Sequence, residues 1–176
     1  LLMKNRRDFL KLGIVAGGVV LANKVLAALP KNRIVQPAAV KPIALSTWNH
    51  GLAANTEAMK VMKGGGKAVD AVEKGVRVTE SDPTNRSVGL GGLPDRDGNV
   101  TLDACIMDEK SRAGCVAFLQ HIENPISVAR KVMEDTPHVL LVGEGALRFA
   151  LSKGFKKTDL LTKEAKSEWK KWLEKG

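Results

Sequence analysis

The stretch VTLDACIMDEKSRAGCVAFLQHIENPISVARKVME, residues 100–134, decides the fold class of this chain. Its first part holds two mostly apolar runs, Val100–Asp108 and Gly114–Phe118, and both are rich in residues that favour strands. The polar residues 109–112 separate them, as the loop of a hairpin would. This part of the sequence therefore predicts two neighbouring antiparallel strands.

The second part of the same stretch predicts a helix that packs on this hairpin. Asn124 is a favourable helix-capping residue, and Pro125 after it suits the first helical position. The helix is expected to run to about Glu134. Apolar residues recur along it at helical spacing, so one face is expected to point inward: Ile126, Ala129 and Met133.

Outward from this stretch, the chain continues to alternate between strands and helices. The predicted elements are a strand Ile43–Trp48, a helix capped by Asn55 and ending near Met62, a helix Lys67–Thr79 with Val69, Val72 and Val76 on one face, a strand His138–Val142, a helix Glu144–Lys153, and a charged helix capped by Thr162 with Trp169, Trp172 and Leu173 on one side. Strands in a hairpin beside helices predict an α+β fold with layered helices and sheet.

Composition and charge exclude several classes of protein. The chain has 176 residues and a net charge of +9, with 44% hydrophobic and 27% charged residues, which is typical of a globular domain. The excess of Lys and Arg lies mainly in residues 1–28 and 153–176. Aromatic residues make up only 4%, so a folded nucleic-acid-binding face is not expected. No apolar run reaches the ~18 residues of a membrane-spanning helix.

No local motif predicts a cofactor or a metal ion. The glycines of Gly89-Leu90-Gly91-Gly92 lack the spacing of a dinucleotide fingerprint and are expected to form a backbone bend or to allow the close approach of another chain segment. Asp95-Arg96-Asp97-Gly98 resembles the start of a calcium loop, but the later ligands are missing, so a hairpin turn is expected. The three histidines are scattered. We therefore expect no cofactor and no metal site.

The two cysteines lie in the two strands of the predicted hairpin. Pairing of the strands about Lys110 would put Cys105 opposite Cys115. An oxidising compartment would allow a disulfide between them, whereas two buried thiols are the alternative. The sequence leaves the choice between these states open.

The N-terminal residues are typical of an export signal. A charged segment containing Arg6-Arg7-Asp8-Phe9-Leu10-Lys11 precedes an apolar stretch, Leu12–Ala22. The adjacent arginines resemble the twin-arginine export motif, and the glycines of the apolar stretch argue against a buried helix. Residues 1–28 are therefore predicted to be a twin-arginine signal peptide, followed by a flexible leader, 29–42, and a domain, 43–176. The protein is expected to be periplasmic or exported, with no membrane insertion after signal removal.

A collinear series of motifs runs through this domain: STWN (46–49), GGKAVDAVE (65–73), SVGLGG (87–92), PD (94–95), LDACIMD (102–108), NPISVARKVM (124–133) and HVLLVGE (138–144). In this order they resemble the α-subunit of the glycosylasparaginases, which are N-terminal nucleophile hydrolases. Any one of these motifs would be weak alone, and their shared order makes the resemblance specific.

The resemblance implies an αββα sandwich, of which this chain holds only the α-subunit half. It also implies a precursor that cuts itself before a threonine, which becomes the N-terminus of a β-subunit. The threonine hydroxyl attacks the side-chain amide of asparagine that carries N-acetylglucosamine, and its own α-amino group is the base. Aspartate is released. The implied partners are therefore the β-subunit and a glycosylated asparagine.

The resemblance assigns no catalytic residue to this chain. The His-Asp-Thr junction of the family is expected beyond Gly176, and Asp135-Thr136 is expected to be a helix end instead. Two residues match pocket positions of the family: Trp48 as a pocket wall and Ser87 as support beside the nucleophile. A core tryptophan and a plain turn serine are the alternatives. His50 stands where the family often has an aromatic residue.

The leading functional hypothesis is the α-subunit region of an exported glycosylasparaginase-type amidohydrolase, inactive and poorly folded on its own. One alternative is a plant-type L-asparaginase or isoaspartyl peptidase. The other is a non-catalytic exported binding remnant. Glycan preference and oligomeric state are left open by the sequence.

Overall fold

The computed structural model describes residues 41–175 of the chain. In chain order the elements are α1 (Gly51–Lys63), α2 (Ala68–Glu80), β1 (Leu102–Met107), β2 (Ala113–Leu119), α3 (Pro125–Asp135), β3 (Leu140–Val142), α4 (Gly143–Ser152) and α5 (Lys163–Leu173). The export signal predicted over residues 1–28 lies outside the described residues, as does most of the predicted leader, 29–42. Both stay predictions.

The predicted hairpin is confirmed. β1 pairs antiparallel with β2, and Cys105 lies opposite Cys115. Asp108 organises the connecting loop: its backbone N–H donates to the Arg112 carbonyl at 3.0 Å. Its Oδ1 accepts from the N–H groups of Lys110 at 2.9 Å and Arg112 at 3.0 Å. Because the loop satisfies its own backbone groups, it holds the register of the two strands.

The third strand lies beside β2 and parallel to it, so the sheet order is β1-β2-β3. The chain reaches β3 through α3, as a parallel neighbour requires a crossover connection. The predicted strand over His138–Val142 is confirmed in a shorter form. The register of β1 and β2 shifts between Leu102 and Ala104, which marks a bulge near the start of β1.

The core lies between the inner face of the sheet and three helices. Ile126, Ala129 and Met133 of α3 are buried, as the helical spacing predicted. The same cluster takes in one side of α2 and of α4. The largest fully buried side chains lie on β2 and on α3 and its entry: Leu119, Ile122, Val116, Val128, Val132 and Pro125.

The predicted strand at residues 43–48 is wrong. This segment has no regular secondary structure, and the side chains of Ile43 and Leu45 are exposed. None of the three strands in the described part of the chain pairs with it. A short apolar run forms a strand only where a neighbouring strand takes its backbone hydrogen bonds, and local sequence does not reveal that neighbour.

Two details of the first helices also differ from the prediction. Helix α1 begins at Gly51, with His50 at the capping position, and Asn55 lies inside it. The Asn55 amide donates to the Ser46 hydroxyl at 3.0 Å instead of capping a helix. In α2, Val69 is buried and Val76 packs against the core, but Val72 is exposed.

The terminal helix follows the prediction. The Thr162 hydroxyl accepts a hydrogen bond from the Ala165 N–H at 3.3 Å, so it caps α5. Trp169 covers the turn at Gly98, and the Arg96 guanidinium lies 6.0 Å from the centre of the Trp172 ring. Both tryptophans thus lie against the 95–98 turn. That turn is present, but no strand precedes it among the described residues, so it is not the hairpin that was predicted there.

The outer face of the sheet is bare and apolar. Met107, Phe118, Leu140 and Val142 are all exposed. A mixed α/β structure whose small sheet has helices on one face only is consistent with one half of the expected αββα sandwich. No second sheet is present within residues 41–175.

A cluster of ion pairs centred on Arg130 joins α2 to α3. The guanidinium contacts Asp70, Glu73 and Glu134, each at 2.7 Å. Ser127 donates to the second oxygen of Glu73 at 2.6 Å. The hydrogen bond from Arg130 is the main cause that lowers the pKa of Asp70. A guanidinium has five N–H donors in one plane and can therefore bind several carboxylates at once. A lysine could not bind them equally well.

Arg130→Met is expected to lower the free energy of unfolding by about 1–2 kcal/mol, because it leaves Glu73 half-buried without its cation. This loss of stability is smaller than that expected for a fully buried ion pair, since water reaches part of this cluster. Chemical denaturation of the complete gene product measures it. The matched control is Arg148→Met, which removes an exposed pair with Glu144 and should cost no more than about 0.5 kcal/mol. Equal losses in the two variants would contradict the prediction.

Candidate functional site

An open groove of about 440 Å³ lies where the segment before α1 meets β1, the end of α2 and the start of α3. Its lining is mostly apolar with a few polar side chains, as expected of a small-molecule site. The lining residues are Leu45, Ser46, Thr47, Trp48, His50, Gly51, Ala54, Val76, Thr79, Glu80, Val88, Asp103, Ala104, Cys105 and Ile126.

Trp48 stands at the rim of this groove, with 70% of its surface exposed. Its ring lies 6.0 Å from that of His50, at 16° between the planes, so the two rings form a stacked wall. The Trp48 carbonyl accepts from the Gly51 N–H at 2.9 Å, which ties the tryptophan to the start of α1. Trp48 is therefore not a core residue in the described part of the chain.

The segment that carries Trp48 is held from two sides. Asn55 binds the Ser46 hydroxyl, as described above. Gly51 lies so close to Ser46 that a Cβ atom there would overlap the serine side chain. This close approach lets the segment fold back over the first turn of α1 and turn Trp48 toward the groove. The only local sign of this contact in the sequence was Asn55, one helical turn into α1, which had been predicted to cap the helix.

Ser87 does not belong to the lining of the groove. It is exposed, and its backbone N–H donates to Asn85 Oδ1 at 2.8 Å. The next residue, Val88, does line the groove. The structure therefore brings the backbone of the SVGLGG motif to the groove but leaves the Ser87 side chain outside it.

Glu80, which no sequence motif singled out, is the most deeply buried charged residue of the lining. It is 2% exposed, and its Oε1 accepts from the Ile126 N–H at 3.1 Å. Its Oε2 has no partner among the described residues. Burial raises the pKa of Glu80 to about 7, against the opposing effect of the Ile126 hydrogen bond. The sequence did contain a signal for this burial, because Glu80 lies four residues after Val76, on the side of α2 that faces the core.

The backbone at Glu80 is as tightly held as its side chain. Its carbonyl accepts from the Leu90 N–H at 2.7 Å. Gly89 has a φ of +63°, and a Cβ atom there would overlap the Glu80 carbonyl. The glycines of the SVGLGG motif thus allow the loop to pass directly against the end of α2, which places Glu80 and Val88 in one wall.

The carboxylate of Asp103, the other acidic residue of the groove, accepts a hydrogen bond within the sheet. Its Oδ1 accepts from the Phe118 N–H at 2.8 Å, next to the bulge between β1 and β2. Phe118 has a φ of +51°, a strained conformation for a bulky residue, and this hydrogen bond helps to hold it. Asp103 therefore contributes to the shape of the groove by holding the backbone of β2 at Phe118.

The described lining contains hydroxyl and thiol groups but no activated nucleophile. Ser46 accepts from Asn55, and the structure shows no hydrogen bond from Thr47, Thr79 or Cys105 to a His, Asp or Glu side chain. Nucleophilic catalysis by such a group needs a base within hydrogen-bond reach. In addition, no group of three or more His, Cys, Asp or Glu side chains within residues 41–175 is arranged to hold a metal ion.

The predicted role of Asp135-Thr136 as a helix end is confirmed. The Thr136 hydroxyl donates to the Val132 carbonyl at 2.8 Å, at the C-terminus of α3. Lys153 binds the Asp135 carboxylate at 2.8 Å and is the main cause that lowers its pKa. The Thr136 side chain thus closes the last turn of α3, and Asp135 joins that turn to the end of α4.

Among the described residues, no helix is both long and apolar enough to cross a membrane. Comparison with known proteins gives one family match, in which the family model described as Asparaginase covers residues 36–176.

Three relatives illustrate the range of similar proteins. An N(4)-(beta-N-acetylglucosaminyl)-L-asparaginase of Elizabethkingia miricola is 62% identical over 96% of this chain and 50% of its own length. One of Rattus norvegicus is 43% identical over 77% of this chain and 39% of its own. A plant-type L-asparaginase of Pyrococcus abyssi is 49% identical over 62% of this chain and 36% of its own. The chain thus spans about half, or less, of the curated relatives that it matches.

Proposed function

We propose, from the premise that this chain belongs to the asparaginase family of N-terminal nucleophile hydrolases, that it builds one half of an amidohydrolase pocket. The proposed reaction is cleavage of the amide bond of N-acetylglucosaminyl-asparagine with release of aspartate. The similarity to the relative from Elizabethkingia miricola supports this choice of substrate.

The structural observation that carries the proposal is the rim position of Trp48. An exposed tryptophan is unfavourable in water, but at the rim of an open groove its flat apolar face can bind a ligand. We assign Trp48 as a wall of the substrate pocket. We also assign Ser87 as support for backbone near the reacting group, acting from just outside the groove beside Val88.

The reacting group itself is proposed to come from a segment outside these residues. As the family resemblance implies, a threonine with a free α-amino group attacks the amide carbonyl, and the amine takes the proton of the hydroxyl. An acyl-enzyme forms with release of the amine product, and water hydrolyses it to aspartate. In the described lining, no nucleophile has a base within hydrogen-bond reach. This supports the proposal that the nucleophile comes from another segment. The bare outer face of the sheet is the surface where we expect that segment, the β-subunit part, to pack.

Activity assays of two proteins test this proposal: the complete gene product, and residues 29–176 alone. Each is given N-acetylglucosaminyl-asparagine, free asparagine and an isoaspartyl dipeptide. We expect the complete product to hydrolyse the glycosylated substrate and to show a new N-terminal threonine by mass spectrometry. Residues 29–176 alone should be inactive. Hydrolysis by residues 29–176 alone, or an inactive complete product without self-cleavage, would refute the proposal.

A second candidate is a plant-type L-asparaginase or isoaspartyl peptidase. The 49% identity to the Pyrococcus abyssi relative favours it as the alternative. The same assays decide: preference for free asparagine or isoaspartyl peptides over the glycosylated substrate would replace the first proposal with this one. No hydrolysis of any of the three substrates would favour a non-catalytic binding protein.

Trp48→Ala in the complete gene product is expected to raise KM for the glycosylated substrate roughly tenfold, because the substrate loses one apolar wall. Stability should change little, since the side chain is mostly exposed. The matched control is Trp172→Ala, an exposed tryptophan of α5 that does not line the groove, which should leave KM unchanged. Steady-state kinetics measure both. An unchanged KM in Trp48→Ala would remove the residue from the pocket.

A further inference from the structure

The glycine loop, residues 85–93, carries the SVGLGG motif and contacts two distant parts of the chain. The Leu90 N–H donates to the Glu80 carbonyl of α2 at 2.7 Å. The next N–H along the chain, that of Gly91, donates to the Leu160 carbonyl at 2.8 Å. Leu160 is buried and lies just before the cap of α5. The backbone of the glycine loop is thus attached both to α2 and to the segment that leads into α5.

Arg86 makes the side-chain contact between the glycine loop and α5. Its Nε donates to Oε1 of Glu168 at 2.9 Å, across 82 positions of the sequence. Its Nη1 donates to the Pro83 carbonyl at 2.8 Å, and its own carbonyl accepts from the Leu93 N–H at 3.0 Å. The side chain is only 25% exposed. Arg86 therefore joins the turn before the loop, the end of the loop and α5.

The two residues that follow Arg86 belong to the proposed pocket. The Ser87 N–H binds Asn85, and Val88 lines the groove. Arg86 itself is not among the lining residues, so it is not assigned a contact with substrate. Each residue of a chain spans at most about 3.6 Å. Anchoring Arg86 to α5 therefore limits where Ser87 and Val88 can lie.

Such an anchor is expected to affect the reaction more than the stability of the protein. The Arg86–Glu168 ion pair has one partner that is half exposed, and pairs of this kind contribute little to the free energy of unfolding. In contrast, a shift of about 1 Å in the groups around a reacting centre can slow a reaction about 100-fold. Measurements of turnover and of unfolding therefore separate a positioning role from a merely structural one.

We propose that Arg86 is a positioning residue for the proposed amide hydrolysis, and that it acts through its contacts with Glu168 and Pro83. These contacts fix the backbone of Ser87 and Val88 in the wall of the groove. The inference rests on the proposed function, because it concerns the same pocket. It adds that α5, which contributes no residue to the described lining, helps to hold one wall of that pocket.

Steady-state kinetics of the complete gene product on N-acetylglucosaminyl-asparagine test this role. The fraction of molecules with a new N-terminal threonine is measured by mass spectrometry, and kcat is calculated per processed molecule. We expect Arg86→Met to lower kcat about tenfold and to leave KM within about twofold of the wild type, because a support near the reacting group is lost. Arg86→Lys keeps a cation for Glu168 and should recover part of the loss.

A double-mutant cycle shows whether Arg86 acts through α5. Glu168→Met should lower kcat by less than Arg86→Met, since Arg86 keeps its bond to the Pro83 carbonyl. The double variant should be no slower than Arg86→Met alone, because both changes break the same contact. Losses that simply add in the double variant would contradict the proposed route through Glu168.

Arg96→Met is the matched control. The Arg96 guanidinium lies 6.0 Å from the centre of the Trp172 ring of the same helix, but Arg96 lies neither in the glycine loop nor in the groove lining. This variant should leave both kcat and KM unchanged. Thermal unfolding is measured for each variant, and the two arginine-to-methionine variants should unfold at similar temperatures, well above the temperature of the assay.

The remaining outcomes each decide the matter. An unchanged kcat in Arg86→Met would overturn the proposal, as would equal losses in Arg86→Met and Arg96→Met or a raised KM with unchanged kcat. If Arg86→Met does not fold, Glu168→Gln keeps the packing of α5 and should still lower kcat about threefold; an unchanged kcat there would overturn the proposal. A wild type that hydrolyses none of the three substrates would overturn the proposed function as well, whereas an active wild type with an unaffected Arg86→Met variant would overturn this inference alone.

Discussion

Replacing Gly114 by alanine is expected to destabilise the protein by at least about 3 kcal/mol, the upper range of overpacking in a core. Gly114 lies on the inner face of β2, directly beneath α3. A Cβ atom there would lie 2.5 Å from the Met133 backbone nitrogen and would overlap the Ala129 carbonyl. These are helix backbone atoms, which cannot turn aside as a flexible side chain can. The added methyl group therefore has to push α3 away from the sheet.

The matched control is Gly145→Ala in α4. No atom lies within 4 Å of a Cβ built at Gly145, so the variant should gain stability by up to about 1 kcal/mol through helix propensity. Denaturant unfolding of the complete gene product gives both values. If the two glycine variants unfold at the same denaturant concentration, the close contact of α3 with β2 is not as described.

Glu80 is expected to make stability depend on pH, with a loss of about 3 kcal/mol between pH 4.5 and pH 7. The pKa of Glu80 is raised to about 7 in the folded chain, from an ordinary value of 4.5. Between these values the folded state holds a proton that the unfolded state has released. The contribution of Glu80 to stability is therefore fully present below about pH 4.5. It falls as pH rises through this window and stays at the lower level above pH 7.

Glu80→Gln tests this directly, because glutamine keeps the acceptor for the Ile126 N–H but cannot lose a proton. The free energy of unfolding of the wild type, minus that of this variant, should fall by about 3 kcal/mol from pH 4.5 to pH 7. Glu144→Gln, an exposed glutamate of α4, should follow the wild type at every pH. A pH-independent difference between wild type and Glu80→Gln would show that the carboxyl is not buried as the structure has it.

The hairpin shows what could be predicted from the sequence. The polar loop 109–112 sets the register of the two strands, and Cys105 lies opposite Cys115 as the loop position implied. The start of α3 at Pro125 and the cap of α5 by Thr162 were equally visible. These features depend on hydrogen bonds and sterics within a few residues. The family resemblance from Lys41 onward was also readable from the motifs, and the match to the asparaginase family over residues 36–176 confirms it.

The predictions from sequence are wrong where the local structure depends on contacts with other segments of the chain. The segment 43–48 has the composition of a strand, but it pairs with none of the described strands. Asn55 has the chemistry of a cap, but its amide binds Ser46 instead. Val72 fits the apolar spacing of α2, but it is exposed, so the face of a helix that meets the core is chosen by its neighbours.

The chain's own residues thus determined its local elements, the sheet register and the family, since each depends on neighbouring residues or on the order of motifs. Only the tertiary structure decided that Trp48 stands at a rim, that Glu80 is buried beside it and that Ser87 lies outside the groove. The positions of Glu80 and Ser87 depend on α3 and the glycine loop meeting the end of α2, and that of Trp48 depends on its segment folding back over the first turn of α1. The residues concerned are far apart in sequence, and burial and pKa follow from which atoms displace water around a group.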